Sequence, residues 1–345
     1  AAKVGWLRAH GIDAACWHQP TSYLVERLTG ARVLDHAHAS TTMLYDLARR
    51  AWSDELCTAF DIDPATLPRI AEATAIAGTL RIQIGLPLGI PVAVGTGDDF
   101  STPLGAGMAS PGHAICAIGT AEVVGALSSI ALFDHAAEPM VETHAYPTGA
   151  FFVENPGWLS GGAIRWAVRL LGLSSDAELD HLAASVPDAA GITFIPALAG
   201  AMTPVWRANA RGTLHGLAAS HDRGHVARAI LEGLAFGARD VIDRLTEIGL
   251  PTTDVLLLGG GARSQIWNHL RADILQRPHH VAARTDTSAI GAAMIAATAL
   301  GSFPDLTAAA ATAPPPAATF YPRACDAAGY ERYRALVAQL APMWR

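Results

Sequence analysis

Three apolar stretches of this chain end in glycine turns, and no other feature constrains the fold as much. Residues 90–94 (Ile-Pro-Val-Ala-Val) run into Gly95-Thr96-Gly97-Asp98, residues 114–118 into Gly119-Thr120, and residues 255–258 into Gly259-Gly260-Gly261-Ala262. Each stretch reads as a buried strand closed by a turn. Lacking side chains, such turns let backbone N–H groups approach an anion, and the third opens a helix whose N-terminus carries partial positive charge. A phosphate chain suits them as ligand, although for any one of them a plain tight turn is the competing reading. The last turn lacks the Lys-Ser/Thr of a P-loop, and its Gly-Gly-Gly-Ala-Arg-Ser spacing is not a GxGxxG fingerprint, so neither site is expected.

Strand and helix signals alternate around these turns, which predicts an α/β domain. Further strands are expected at 122–127, 151–154, 192–196 and 280–283. Helices are expected at 162–171, after Ser175, at 263–275 and at 287–299. The longest helix is predicted to span about Asp222–Ile248, because Val226, Ile230, Leu234, Gly237, Val241, Leu245 and Ile248 keep close to a 3.6 period. Ser175 and Glu178 have capping-box spacing. Toward the N-terminus a helix is expected from Ser40 to about residue 51. Residues 304–322, rich in Ala and Pro, read as a poorly structured connection before a last amphipathic helix on Tyr330, Tyr333, Leu336 and Val337.

With 345 residues, two domains are expected. Apolar residues make up 51% and charged residues 16%, which excludes an intrinsically disordered chain. Lys and Arg number 24 against 31 Asp and Glu, a net charge of −7 with no basic run, so neither nucleic acid nor a membrane surface is an expected partner. The apolar stretches near residues 191–202 and 290–301 are too short to cross a membrane. Cys16, Cys57, Cys116 and Cys325 lie far apart, without metal-site or disulfide-scaffold spacing, and a reducing cytoplasm is the expected compartment.

Several motifs together resemble one family. Gly212-Thr213-Leu214-His215-Gly216-Leu217, then seven residues, then His225-Val226-Ala227-Arg228-Ala229-Ile230-Leu231-Glu232, fits the long signature of the FGGY carbohydrate kinases. Residues 3–10 (Lys-Val-Gly-Trp-Leu-Arg-Ala-His) resemble the family's other signature and depart from it at Ala9. Gly97-Asp98 with Gly105 and Gly107 resembles the segment that holds the family's catalytic aspartate, and Gly119-Thr120 and Gly259–Ala262 resemble its nucleotide-binding turns. The resemblance implies an actin-like ATPase, ribonuclease-H-like fold of two lobes, ATP with Mg²⁺ as cofactors, and a small sugar as acceptor. No Asp-x-Gly-Thr phosphate loop precedes Lys3, so the first lobe is expected to be incomplete. The expected division is a sugar-binding remnant at 1–107, a nucleotide-binding lobe at 108–322 and a C-terminal helix at 323–345. The chain by itself is then expected to be inactive, and a non-catalytic nucleotide- or sugar-binding module is the alternative. Overall pattern favours the xylulose-kinase branch, because the glycerol branch's Gly-Asp-Gln run is absent. A homodimer is compatible with all of this.

Phosphoryl transfer asks the protein to position a hydroxyl and accept its proton. Asp98, seven residues before Gly105 as in the family, is the expected catalytic base, with capping of the next helix as the plain structural alternative. If the backbone is extended there, Asp99 points the opposite way and caps or supports. Thr120 is expected to bind phosphate with Gly119, while Gly161, Gly260, Gly261, Ala262 and Gln265 are expected to line the nucleotide site. Arg228 and Glu232 have the spacing of a structural ion pair. The His221/His225 pair has i,i+4 metal spacing but no acidic third ligand, and no metal site is expected on the protein itself. Trp158, Trp166, Trp206 and Trp267 read as core or lobe-interface residues, with Trp206 able to edge the cleft.

Overall fold

The computed structural model describes residues 1–323 and 327–344; Cys325 lies outside them. Its N-terminal part is built from short elements. Strand β1 (Val33–Asp35) leads into helix α1 (His36–Ser40), where Asp35 accepts hydrogen bonds from the N–H groups of Ala37 and His38. The helix expected from Ser40 onward does not form. The hydroxyls of Ser40, Thr41 and Thr42 each donate to the carbonyl three residues earlier, which closes a helix instead of opening one, and Met43 has a positive φ of 62°. Strand β2 (Pro91–Ala93) then approaches helix α2 (Asp98–Gly105).

The centre of the molecule is a seven-stranded mixed sheet. Its strands are β3 (His113–Ile118), β4 (Ala121–Ser128), β5 (Glu142–Ala145), β6 (Phe151–Leu159), β7 (Asp254–Gly259), β8 (His279–Val281) and β9 (Ala318–Phe320), in the order β9-β8-β7-β3-β4-β6-β5. β7 runs parallel to β3 and β8, and the remaining pairs are antiparallel. Side chains alternate between two cores, as a sheet covered on both faces requires. Ala114, Cys116 and Ile118, with Val255 and Leu257, enter one core, whereas Ile115 and Leu258 enter the other.

Helices α3 (Gly161–Leu170), α4 (Asp176–Ala184), α5 (Arg223–Glu247) and α6 (Gln265–Leu275) contribute to the first core, and α2 packs in the second with α7 (Thr287–Ala299). α2 and α7 approach so closely that a Cβ on Gly105 would lie 1.9 Å from the Thr287 carbonyl oxygen and one on Gly291 2.0 Å from that of Ser101. Glycine at both positions is a packing requirement. The caps follow the sequence in part. Asp222 and His225 form a reciprocal capping box on α5, which occupies His225 Nδ1, and Ser175 accepts from the Glu178 N–H while the Glu178 carboxylate turns back to Ser174. Arg228 Nε and Glu232 Oε1 stand 2.7 Å apart as the expected ion pair.

Residues 304–322 are more ordered than their composition suggests. Asp305 caps a short helix at Leu306–Ala310 whose Leu306, Ala309 and Ala310 are buried, and β9 closes one edge of the sheet. The final helix α8 (Ala327–Leu340) places Tyr330 and Tyr333 against α5, where their hydroxyls donate to the buried Asp240 carboxylate at 2.7 and 3.1 Å. Burial outweighs these bonds and the nearby Arg334 guanidinium, and raises the Asp240 pKa from 3.8 to about 7. A carboxyl whose folded pKa is raised binds more protons in the native state, so its favourable contribution is full below about 3.8 and is lost as pH rises through about 7. Denaturation midpoints of Asp240→Asn should therefore fall less steeply than wild type between those limits. Parallel pH profiles would remove Asp240 as the cause.

Candidate active site

A cleft formed by two adjoining cavities lies at the ends of β3 and β7, and both cavities are lined by Ile118, Gly119 and Thr120. The smaller, about 300 Å³, is lined also by Asp98, Asp99, Thr102, Gly259, Thr285 and Ser288. The larger, about 780 Å³, lies among α3, α4 and the start of α6.

Asp98 and Asp99 are the first two residues of α2, not an extended pair, so both face the small cavity and the expected opposition of their side chains does not hold. Nor does either side chain cap the helix: the N-cap is Gly97, without a side-chain bond. Partial burial, and then the charge of Asp98, raise the Asp99 carboxyl above its ordinary range. The segment before them is clamped by groups remote in sequence. Thr96 Oγ1 donates to buried Asp35 at 2.7 Å, and Gly97 lies so near His38 that a Cβ would sit 2.1 Å from Nε2. Burial raises the Asp35 pKa, against the opposing pull of His38.

The Gly119-Thr120 turn is held from two sides. The N–H groups of Ser160 and Gly162 donate to the Thr120 carbonyl at 3.1 and 2.9 Å, and a Cβ on Gly161 would lie 2.2 Å from the Gly119 oxygen. Arg165 Nη2 donates to Thr120 Oγ1 at 2.9 Å. On the facing turn Gly259 has a φ of 83°, and a Cβ there would meet the Ile118 oxygen at 2.3 Å.

Of the residues expected at the nucleotide, Gly119, Thr120, Gly161, Gly260 and Gly261 line the large cavity. Ala262 and Gln265 do not. Ala262 is buried in the turn, its carbonyl accepting from Asn268 Nδ2, and Gln265 is exposed at the start of α6. Trp206 is 62% exposed and lines neither cavity of the cleft, whereas Trp158 and Trp267 are buried. Sequence reasoning missed Arg165, Asp180, Ser264 and Trp267, which also line the large cavity. Ser264 could have been found as the N-cap following a glycine turn, since its hydroxyl accepts from the Trp267 N–H. Asp180, raised by burial despite a hydrogen bond from Ser264, carries no local signal.

The three glycines of the facing turn are not equivalent. A Cβ on Gly261 would lie 2.4 Å from the Ile118 side chain and 2.9 Å from Trp267, but one on Gly260 would meet nothing within 4 Å. Gly260→Val should therefore fold normally and lose nucleotide by filling the space beside the turn, while Gly261→Val should lower the melting temperature as well. Calorimetric titration with ADP beside thermal melts would separate them, and unaltered affinity in Gly260→Val would refute the placement.

The comparisons agree with this architecture. Residues 1–105 match the N-terminal domain of the FGGY family of carbohydrate kinases and residues 114–300 its C-terminal domain. A glycerol kinase from Nocardia farcinica is 31% identical over 324 residues, covering 87% of this chain and 63% of that protein. A xylulose kinase from Klebsiella pneumoniae is 31% identical over 287 residues, covering 79% and 58%. This chain thus spans about three-fifths of the length of these relatives. The solved xylulose kinase from Rhodospirillum rubrum superimposes with a TM-score of 0.87 at 30% identity, covering 99% of this chain and 72% of that one, so the fold is the actin-like ATPase fold of these kinases. The chain belongs to the FGGY family of carbohydrate kinases.

Proposed function

We propose that the chain supplies the nucleotide site and the general base of an ATP-dependent sugar kinase. The observation that carries the reading is that Asp98 and Thr120 line one small cavity, which adjoins a larger one with glycine turns on both walls. In this reading ATP occupies the large cavity, with its phosphates between Gly119-Thr120 and Gly259-Gly260-Gly261. Asp98 accepts the proton of the acceptor hydroxyl as that oxygen bonds to the γ-phosphorus and the bond to the ADP oxygen breaks. The carboxylates of Asp98 and Asp99 and the hydroxyl of Thr120 are hard oxygen donors that suit the Mg²⁺ arriving with the phosphates. We divide the chain at 107/108 into the part bearing the base and the nucleotide lobe, and place an enzyme that consumes ATP in the cytoplasm.

A ketopentose such as xylulose is the acceptor we favour, because Asp99 stands where the glycerol branch would carry Gln. Glycerol is the competing acceptor, supported by the name of the Nocardia relative. A coupled ADP-release assay on the full-length gene product with xylulose, ribulose, aldoses and glycerol decides between them. Xylulose should give the highest kcat/KM, and a preference for glycerol would overturn the assignment.

A further inference from the structure

We propose a second cation site, separate from the nucleotide cleft, at which Glu142, His144 and Glu154 hold one divalent transition-metal ion. Glu142 and His144 are two residues apart on β5 and share a face, and Glu154 on β6 is the antiparallel partner of Glu142. Opposite Glu154 on its other side is Gly125, where a Cβ would come within 2.8 Å of that of Glu154, so a missing side chain leaves the carboxylate its room. The donor atoms of the three residues all lie within 4.8 Å of one another.

The two spacings to His144 are close to those of ligands sharing an ion. His144 Nε2 stands 3.4 Å from Glu142 and 3.7 Å from Glu154, too far for good hydrogen bonds. Donors each bound at about 2.1 Å to one ion stand roughly 3–3.5 Å apart. Burial supplies an independent argument. Glu154 is 6% exposed, and His144 Nε2 stands 3.7 Å from its carboxylate, an ion-pair distance longer than a hydrogen bond. A buried charge without such bonds is costly unless paired. The exposed Glu142 gives an ion its way in. One imidazole with two carboxylates suits Mn²⁺ or Zn²⁺ better than Mg²⁺, which prefers oxygen alone.

The test is a titration of the chelator-stripped chain with Mn²⁺ in the absence of nucleotide, with free ion counted by electron paramagnetic resonance. One ion per chain should bind saturably. Glu154→Gln, nearly isosteric, and Glu142→Gln, at the exposed rim where folding is insensitive, should each weaken binding at least tenfold, while Asp98→Asn and His221→Ala should not. Binding that is unsaturable, that survives both glutamate substitutions, or that is lost in Asp98→Asn instead, would overturn the proposal. Because turnover is not measured, failure here would leave the kinase reading untouched.

Discussion

In the full-length gene product, Asp98→Asn is expected to lower kcat by about 10²–10⁴-fold or more while ATP affinity stays within a few-fold of wild type. The amide keeps the shape at the start of α2 but cannot take the hydroxyl proton. No side-chain cap is lost, because Gly97 is the N-cap, so the fold should be unaffected. Asp99→Asn should be milder. It faces the same cavity, yet its carboxyl is raised by burial and by Asp98, which makes it the poorer fixed charge. Steady-state kinetics of both variants tests the pair, and a greater loss for Asp99→Asn would reverse their roles.

The second large effect concerns stability. Beneath the nucleotide cavity, Glu122 and Arg271 form a fully buried ion pair, to which Ser160 Oγ adds a 2.8 Å hydrogen bond on Glu122 Oε2. Arg271 also lies 5.2 Å above the ring of Trp267, and buried Cys116 beside them has its thiol pushed up to about 12, chiefly by burial. Removing one partner of such a pair strands the other charge in the interior, at a cost of about 3–5 kcal/mol. Glu122→Leu should lose that much in denaturant titrations, and Glu122→Leu combined with Arg271→Met should recover most of it. ADP affinity should fall in the single variant, because Ser160 and Trp267 tie the pair to both walls of the cavity. A loss under about 1 kcal/mol would show that the pair is not isolated from water.

What could be read from the sequence was what local chemistry specifies. The glycine turn after β7 announced itself because only glycine suits the φ of 83° at Gly259 beside a carbonyl 2.3 Å away, whereas Gly119 after β3 was legible only as a glycine that ends an apolar run. α5 was legible through its period, and its Asp222 cap emerged only in the structure. The errors arose where distant contacts decide. Glu122 and Arg271 meet across 149 positions and Thr96 reaches Asp35 across 61, so no spacing rule reveals either link. Asp180 enters the cavity from a helix whose one sequence signal, the Ser175 cap, says nothing about which side chain faces the cleft. The run after Ser40 has helix-compatible composition, but its three hydroxyls turn onto their own backbone, and β9 forms in an Ala- and Pro-rich stretch because β8 offers it an edge.

The central claim is that nucleotide phosphates lie between the Gly119-Thr120 and Gly259-Gly260-Gly261 turns. Hydrogen exchange of the purified chain with and without saturating ADP measures it directly, because those amides would donate to the phosphates and become protected. The account predicts slower exchange at 119–120, at 160–165 and at 259–264, with that protection abolished in Gly260→Val and the rest of the sheet unchanged. Saturable ADP binding that leaves those three segments unprotected and shields another region would contradict it.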